Sequence, residues 1–349
     1  MQALTISAHG GLDRIELRDD LPTPEIRTPS EVRLRMTAAA LNHLDLHVVG
    51  GMRGVTIRAP WTLGADGCGV IDQVGSEVAG LRVGDRVIIN PGISDRSCEY
   101  CKVGEQSLCV RYRLLGEHHP GTMAEYLVVP AVNVRRVPVG VSDAEAAAFT
   151  LATLTAWRMV VTRAVVRPGD QVLIWGIGGG VAQAALRTCL RRGATVWVTS
   201  SDDDKLARAR SLGADEAINH RGVDVGQLIR DRTGKRGVDV VIDNVGAATW
   251  TQSLGALRKG GRLVTCGATS GSQVATDVRR LFWNQWTIMG STMGNDVELD
   301  AILAELAGGH LRPVVDTVLP LANGRKAFER LAAGKQFGKI VVSIGAAGS

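Results

Sequence analysis

The chain has 349 residues, of which 45% are hydrophobic and 21% are charged, and this suits a globular protein of two domains, each with its own core. The net charge of +5 comes from Lys and Arg scattered through both halves, which argues against a nucleic-acid partner. No apolar run reaches membrane-spanning length, and the start MQALTISAHGG lacks a signal-peptide pattern. We therefore expect a cytoplasmic protein without a membrane partner.

Three of the six cysteines lie in the short polar segment DRSCEYCKVGEQSLC, residues 95–109. Cys98, Cys101 and Cys109 form a Cys-x2-Cys-x7-Cys array, and Asp95 stands one further two-residue gap upstream. Thiolates at this spacing converge on a tetrahedral ion, and a carboxylate oxygen can complete the shell. The pattern predicts one structural zinc bound by these four side chains. A disulfide with a spare thiol, or three unliganded cysteines beside an exposed aspartate, is the alternative.

From residue 167 onward, strands alternate with amphipathic helices. The strands QVLIWGI, TVWVTS, GVDVVIDNVG and GRLVTCG are apolar throughout, which predicts a parallel sheet covered on both faces. The turn after the first strand contains Gly176, Gly178, Gly179 and Gly180. These residues let backbone N–H groups approach a pyrophosphate closely. We predict a dinucleotide site here, with Gly267 at the end of GRLVTCG as a further cofactor-binding residue; a tight connection without a ligand is the alternative.

The end of the second strand influences which nicotinamide cofactor binds, because an acidic residue there repels a 2′-phosphate. Ser200 and Ser201 occupy this position, and Lys205 and Arg208 follow in the next helix. These residues favour NADP(H), whereas the aspartates at 202–204 argue for NAD(H). We expect those aspartates to cap and begin the following helix, where carboxylates complement the helix dipole.

Several motifs in a fixed order resemble the medium-chain dehydrogenase/reductase superfamily, which includes zinc-type alcohol dehydrogenases and quinone oxidoreductases. They are ALNHLDLH, LGADGCGVIDQVGSEVAGLRVGDRV, the cysteine segment, GTMAEYLVVP, LTAWRMVV, the Gly-rich turn and FGKIVV. The resemblance implies an α/β fold with two domains. A GroES-like β-rich catalytic domain is expected at residues 1–152, completed by 295–349, and a Rossmann doubly wound parallel sheet at 153–294.

The same resemblance implies an NAD(P)H-dependent oxidoreductase that acts on a small-molecule substrate. Thr155, in LTAW, matches a residue that contacts the nicotinamide in relatives, and ordinary helix packing is its alternative role. The segment WTIMGSTMG, residues 286–294, is expected to be the last strand of the Rossmann sheet. In relatives this edge pairs with a second subunit, and an unpaired apolar edge is a liability. We therefore expect a homodimer or homotetramer.

The chain departs from the zinc-type alcohol dehydrogenases where these bind their catalytic zinc. Asn42, Ala65 and Leu151 stand at the positions of the family's Cys, His and Cys ligands. None of these side chains supplies a thiolate or imidazole. The resemblance is therefore to the quinone-oxidoreductase side of the family, and it implies hydride transfer from NADPH to a conjugated carbonyl or quinone without a catalytic zinc.

The first motif supplies the candidate catalytic residues. Asn42 is a candidate donor to a developing enolate oxygen, and stabilisation of a turn is its alternative role. His47 matches the family's proton-relay histidine, and histidine is the side chain that most often transfers protons in catalysis. Asp45 and Asp66 match acidic positions of the zinc enzymes, and we expect them to be hydrogen-bonded partners of His43 or His47.

Two other functions remain open from the sequence. One is an alcohol dehydrogenase with a non-standard metal site made from His43, His47, Asp45 or Asp66. The other is a non-catalytic NADP(H)-binding protein. Measuring the metal content would distinguish the first alternative from the zinc-free reductase, and cofactor binding without turnover would favour the second.

Overall fold

The structure of the protein is a computed structural model that describes residues 1–52 and 54–345. It divides into two compact units, one formed by Met1–Ala152 together with Asn295–Ser349 and the other by Thr153–Gly294. No helix in the described ranges is both long enough and apolar enough to cross a membrane.

The N-terminal part of the first unit is rich in strands. Its strands are β1 (Ala3–Ile6), β2 (Ile15–Arg18), β3 (Glu31–Ala40), β4 (Trp61–Thr62), β5 (Asp66–Val74), β6 (Arg86–Ile89), β7 (Gly92–Ile93), β8 (Arg113–Leu114), β9 (Tyr126–Pro130) and β10 (Val134–Arg136). Its helices are α1 (His43–Gly50), α2 (Glu99–Lys102) and α3 (Asp143–Ala147). Strand β3 alternates polar with apolar side chains, and Val32, Leu34 and Met36 are buried, as expected for a strand that packs one face on a core.

The central part of the chain forms the second unit. It begins within α4 (Thr150–Trp157), which starts in the first unit and is followed by a π-helical segment at Arg158–Arg163. Its strands are β11 (Gln171–Ile174), β12 (Thr195–Ser200), β13 (Glu216–Asn219), β14 (Val238–Asp243), β15 (Leu257–Thr265) and β16 (Thr287–Gly290). Its further helices are α5 (Gly180–Arg191), α6 (Asp203–Ser211), α7 (Val225–Arg232), α8 (Trp250–Ala256) and α9 (Val278–Asn284). Its six strands run parallel in the order β13-β12-β11-β14-β15-β16. The predicted parallel sheet is confirmed.

The last part of the chain returns to the first unit. It contains α10 (Asp296–Ala307), β17 (Val315–Pro320), α11 (Gly324–Ala332) and β18 (Lys339–Ser343). Strand β18 pairs antiparallel with β3 and parallel with β17. The resulting sheet has the order β10-β6-β5-β3-β18-β17, and β9 also pairs with β3. Both ends of the sequence thus contribute to one sheet.

Each unit has its own hydrophobic core. In the first unit Phe328, from α11, and Ile71, from β5, are almost fully buried in a cluster shared with β1, β3 and β18. In the second unit Trp175, Trp197 and Trp250 belong to the buried cluster. Burial of such large side chains is the main stabilising contribution to a domain of this size.

Candidate functional site

The cysteine segment brings four potential metal ligands together. Ligand atoms of Asp95, Cys98, Cys101 and Cys109 all lie within 4.8 Å of one another, close to the separation of about 3.8 Å that zinc–sulfur bonds of 2.3 Å would give in a tetrahedral site. Among residues 1–52 and 54–345, this is the only group of three or more His, Cys, Asp or Glu side chains that converges in this way. The structure therefore assembles the four side chains that the sequence spacing selects.

The backbone around these ligands favours negative charge. Oδ1 of Asp95 accepts the N–H groups of Ser97 at 2.9 Å and Cys98 at 3.0 Å, and these hydrogen bonds hold the pKa of Asp95 well below its usual range. Backbone donation from Cys101 lowers the pKa of the Cys98 thiol. Burial and the neighbouring thiols instead raise the pKa of Cys101 to about 11. A divalent cation would reverse that shift, because it stabilises a thiolate.

One ligand atom of this group is a buried carboxylate oxygen. In the described residues, Oδ2 of Asp95 accepts no hydrogen bond, and it forms an ion pair with the guanidinium of Arg111 at 3.4 Å. Sγ of Cys109 accepts backbone N–H groups from Asp95 at 3.3 Å and from Arg111 at 3.4 Å, which is the geometry that supports a ligating thiolate. The residues therefore fit a tetrahedral zinc ion.

The cysteine segment is attached to the returning part of the chain. The guanidinium of Arg96 forms an ion pair with the carboxylate of Asp296 at the start of α10. The side chain of Gln106 accepts the backbone N–H of Asp296 at 3.3 Å. The sequence analysis did not identify these contacts, because 200 residues separate Arg96 from Asp296.

A second polar cluster forms around Asp66 and includes Asn42, one of the positions at which the resemblance implies a missing zinc ligand. The carboxylate of Asp66 accepts hydrogen bonds from Nδ2 of Asn42 at 2.9 Å, from Nζ of Lys339 at 2.9 Å and from the backbone N–H of Leu151 at 2.8 Å. Ala65 precedes Asp66 and is fully buried. Of the three non-ligating positions, Asn42 and the backbone of Leu151 thus meet at one carboxylate, and Ala65 is its neighbour in sequence.

Lys339 supplies the positive charge of this cluster. Its relative exposure is 4%, against 0% for Asp66 and 8% for Asn42, so the ion pair is almost completely removed from water. Nζ of Lys339 also donates to Oδ1 of Asn42. Lys339 was not among the site residues predicted from the sequence. The available signal was a lysine at the start of the apolar strand FGKIVV, because buried lysines are rarely found without a partner.

Asp45 is the second buried acid in this region. Its carboxylate accepts the backbone N–H of Asn42 at 2.7 Å, which anchors the start of α1. Burial raises its pKa to about 7, against the opposing effects of that hydrogen bond and of the charge of Lys339. The partners of Asp45 and Asp66 in the described residues thus differ from the histidines that we expected. The carboxylate of Asp45 binds the backbone N–H of Asn42, and that of Asp66 binds Asn42, Lys339 and the backbone N–H of Leu151.

The two histidines lie on α1. His43 begins the helix, and His47 follows one turn later with an exposed side chain. His43 is also exposed. Its pKa is lowered, first by the protein atoms that crowd one side of its ring and then by the positive charges of His47 and Lys339. His43, His47, Asp45 and Asp66 do not form a second convergent ligand group within the described chain.

The Gly-rich turn has the geometry of an anion site. Gly176 has φ +70°, a conformation that favours glycine, and its N–H donates to Oγ1 of Thr199 at 3.2 Å. Gly179 caps α5, and Gly178 and Gly180 lie beside it. No side chain in the described residues caps this helix, so its first N–H groups are available to an anionic ligand.

The aspartates that follow β12 lie at the start of the next helix, α6. Asp202 caps α6, and its Oδ1 accepts the N–H groups of Asp204 at 3.0 Å and Lys205 at 3.2 Å. The expectation that these aspartates cap the helix is confirmed. Oγ of Ser200 accepts the N–H of Asp202 at 3.1 Å, which leaves the hydroxyl proton of Ser200 able to donate. Ser201 follows it and is half-buried.

Thr155 and Gly267 are the two remaining predicted cofactor residues, and packing contacts surround both. The hydroxyl of Thr155 donates to Sδ of Met293 at 3.6 Å and is buried, so packing accounts for part of its role. At Gly267, a Cβ would lie 2.9 Å from the backbone oxygen of Asn244. Glycine is therefore required where the segments after β14 and β15 approach each other.

Comparison with known proteins identifies both domains. Residues 28–139 match the alcohol dehydrogenase GroES-like domain, and residues 180–308 match the zinc-binding dehydrogenase domain. An alcohol dehydrogenase from Geobacillus stearothermophilus is 32% identical over 337 residues, which cover 94% of this chain and 98% of that protein.

Solved structures agree with this assignment. The crystal structure of an NAD-dependent alcohol dehydrogenase is 44% identical, with a TM-score of 0.94 over 99% of this chain and 100% of the other. A cobalt- and zinc-bound thermostable alcohol dehydrogenase from Pyrobaculum aerophilum is 31% identical, with a TM-score of 0.89 over 98% of this chain and 99% of the other.

A GroES-like domain and a Rossmann sheet in one chain define a nicotinamide-dependent dehydrogenase or reductase. The chain belongs to the zinc-binding dehydrogenases of the medium-chain dehydrogenase/reductase superfamily. It is an NAD(P)H-dependent oxidoreductase, and the predicted fold class is confirmed.

Proposed function

We propose that this oxidoreductase transfers hydride from NADPH to a conjugated carbonyl compound or a quinone without a catalytic zinc. The observation that carries the proposal is the cluster around Asp66. The three positions of the family's zinc ligands hold an amide, a methyl group and an aliphatic side chain, and the lysine ammonium of Lys339 pairs with the neighbouring carboxylate. The chain thus provides a cation of its own beside these positions, and the positions offer none of the thiolates or imidazoles that a catalytic zinc would need.

The chemistry expected of this site follows from its donors. When bound, NADPH supplies the hydride, and a conjugated acceptor develops negative charge on its oxygen. Nδ2 of Asn42 carries two hydrogens, of which one donates to Asp66; the other is the candidate donor to the developing enolate oxygen. His47, exposed on α1, is the candidate source of the proton that completes the reduction.

We propose NADP(H) as the preferred cofactor. Asp202 and Asp203 are engaged, the first as the cap of α6 and the second as acceptor for Nδ2 of Asn219 at 2.8 Å. Ser200, rather than an acidic residue, ends β12. A serine hydroxyl can donate to a 2′-phosphate that a carboxylate would repel. The NAD dependence named for several relatives makes the opposite preference the outcome that would overturn this assignment.

We also propose one structural zinc per chain, bound by Asp95, Cys98, Cys101 and Cys109. The convergence of four ligand atoms supports it, and so does the buried Oδ2 of Asp95, which accepts no hydrogen bond from the residues that the structure describes. Such an ion holds a loop and contributes to folding, and it takes no part in the hydride transfer.

Alcohol oxidation is the second candidate function, because the relatives are named alcohol dehydrogenases. A single experiment compares the two candidates. We expect NADPH oxidation with enones or quinones, unchanged by chelators that leave the structural zinc in place, and little turnover of simple alcohols. Robust alcohol oxidation that disappears when a second metal ion per chain is removed would overturn the zinc-free proposal.

We propose that the chain assembles into a homodimer or homotetramer through β16. This strand pairs with β15 at one end of the sheet, and it follows the exposed side chains of Phe282 and Trp283. An apolar edge of this kind favours pairing with another copy. Sedimentation should show an assembly at micromolar concentration, and a monomer would contradict the proposal.

A further inference from the structure

We propose that Lys339 and Asp66 act as positioning residues that fix the orientation of the Asn42 amide. This inference rests on the proposed role of Asn42 as donor to the substrate oxygen. The two ends of an asparagine amide have nearly the same shape but opposite hydrogen-bonding character. A donor site built on asparagine therefore works only if something prevents the amide from turning over.

The charges on either side of Asn42 select one orientation. An ammonium group only donates hydrogen bonds and an ionised carboxylate only accepts them. Nζ of Lys339 faces Oδ1 of Asn42, and Oδ2 of Asp66 faces Nδ2. The reversed amide would place two donors against each other at Lys339 and two acceptors against each other at Asp66. In this buried cluster, water cannot relieve either conflict.

The sheet holds the three residues in register. Ala40, at the end of β3, lies opposite Asp66 in β5 and opposite Val341 in β18. Continuing the antiparallel register of β3 and β18 by two residues brings Asn42 opposite Lys339, and Leu41 accordingly donates to the backbone oxygen of Ile340 at 2.9 Å. Two adjacent strand pairings thus place the acid and the base on either side of the amide.

Asp66 is itself fixed by a third donor. Its Oδ1 accepts the backbone N–H of Leu151 at 2.8 Å, while Oδ2 receives Asn42 and Lys339. The carboxylate therefore cannot rotate without losing a hydrogen bond. The orientation of Asn42 depends on residues far away in sequence, since 297 residues separate it from Lys339.

The test removes the two directing charges together. Lys339→Met alone would leave a buried unpaired carboxylate and could fail to fold, so the main variant is Lys339→Met with Asp66→Asn. We expect this variant to lower kcat with an enone or quinone by about 10-fold or more, approaching the effect of losing an oxyanion donor. The KM for NADPH should change little, because the change is confined to the amide.

A double-mutant cycle separates positioning from general support of the fold. In an Asn42→Ala background, adding the Lys339→Met and Asp66→Asn changes should cause no further loss of kcat, because no amide remains to be oriented. Arg330→Met is the matched control. It breaks the ion pair of Arg330 with Asp316 in the same unit, and it should leave kcat unchanged.

The outcomes distinguish this inference from the proposed function. If the wild type does not reduce any enone or quinone, the proposed function fails. If the wild type does reduce such a substrate, two results would show that the positioning role is wrong. The first is a wild-type kcat in the Lys339→Met, Asp66→Asn variant. The second is that these two changes lower kcat by the same factor whether residue 42 is Asn or Ala. A crystal structure of the charge-free variant should show the Asn42 amide reversed or in two orientations.

Discussion

Two regions of the first unit each collect acidic or thiol side chains, and they differ in where the compensating positive charge originates. Around Cys98 and Cys101, three thiols and the carboxylate of Asp95 converge, and the cation nearest the carboxylate is the largely exposed guanidinium of Arg111. Around Asp66, the buried ammonium of Lys339 forms the ion pair.

This difference is the physical basis for proposing a metal at one region and none at the other. Gathered thiolates repel each other unless a cation is bound between them. A carboxylate that already has an ammonium partner and two further donors has its charge neutralised by the chain itself. The comparison thus predicts a metal-dependent cysteine segment beside a metal-independent cluster at Asp66.

The largest expected effect concerns the cysteine segment. Cys101→Ser should reduce bound zinc from one per chain to none and lower the Tm by about 5 °C or more, because metal binding contributes to folding. Cofactor affinity should change little. Elemental analysis and thermal unfolding provide the measurements. Cys189→Ser is the control, since Cys189 is buried in α5 away from the ligand group. A wild-type protein that contains no zinc after purification without chelators would contradict the assignment.

The proposed hydride transfer is tested through two candidate donors, Asn42 in the cluster at Asp66 and His47 on α1. Asn42→Ala and His47→Ala should each lower kcat by about 10²-fold if the lost group acts in the rate-limiting step, with a modest effect on NADPH binding. Steady-state kinetics measures kcat, and cofactor titration measures the affinity for NADPH. Zinc content should remain that of the wild type in both variants. A parallel loss of zinc and turnover would show that the two regions are not independent.

Cofactor preference should be independent of both regions. Ser200→Asp places a carboxylate where the 2′-phosphate is proposed to bind, and it should shift the NADPH-to-NADH ratio of kcat/KM by about 10-fold or more towards NADH. Zinc content should stay constant. Kinetics with both cofactors provide the measurement, and a wild-type preference for NADH would show that the assignment of this strand end is wrong.

The last prediction concerns a pH dependence near Asp66. The ammonium of Lys339 pairs with the carboxylate of Asp66. Burial raises the pKa of the second acid, Asp45, to about 7. The folded protein therefore keeps a proton that the unfolded chain loses near pH 4. The contribution of Asp45 to the free energy of unfolding should be full below about pH 4 and should fall by about 1 kcal/mol per pH unit up to about pH 7.

Urea unfolding of the wild type and of Asp45→Asn at several pH values checks this dependence. The variant cannot titrate at this position, yet its side-chain oxygen can still accept the N–H of Asn42. The difference in stability between the two proteins should shift in favour of the variant as the pH rises from 5 to 7. A difference that is independent of pH would show that Asp45 is ionised throughout that range.

Local sequence patterns were sufficient to predict the parallel sheet and the convergence of the three cysteines. The apolar strands and the turn at Gly176 predicted the parallel sheet, because strand composition and glycine conformation act within a few residues. The spacing of Cys98, Cys101 and Cys109 predicted their convergence for the same reason. The absence of thiolates and imidazoles at Asn42, Ala65 and Leu151 also follows from the sequence once the family motifs are recognised.

The tertiary structure decided which residues neutralise the buried acids. Asp45 and Asp66 were assigned to nearby histidines, whereas the structure gives Asp66 to Lys339 and to the backbone of Leu151. That partnership depends on β18 pairing with β3 at the far end of the chain. Sequence by itself determined which chemical groups are present and which local elements they occupy. Only the pairing of distant strands determined which charges meet, because a buried ion pair forms between neighbours in space regardless of their separation along the chain.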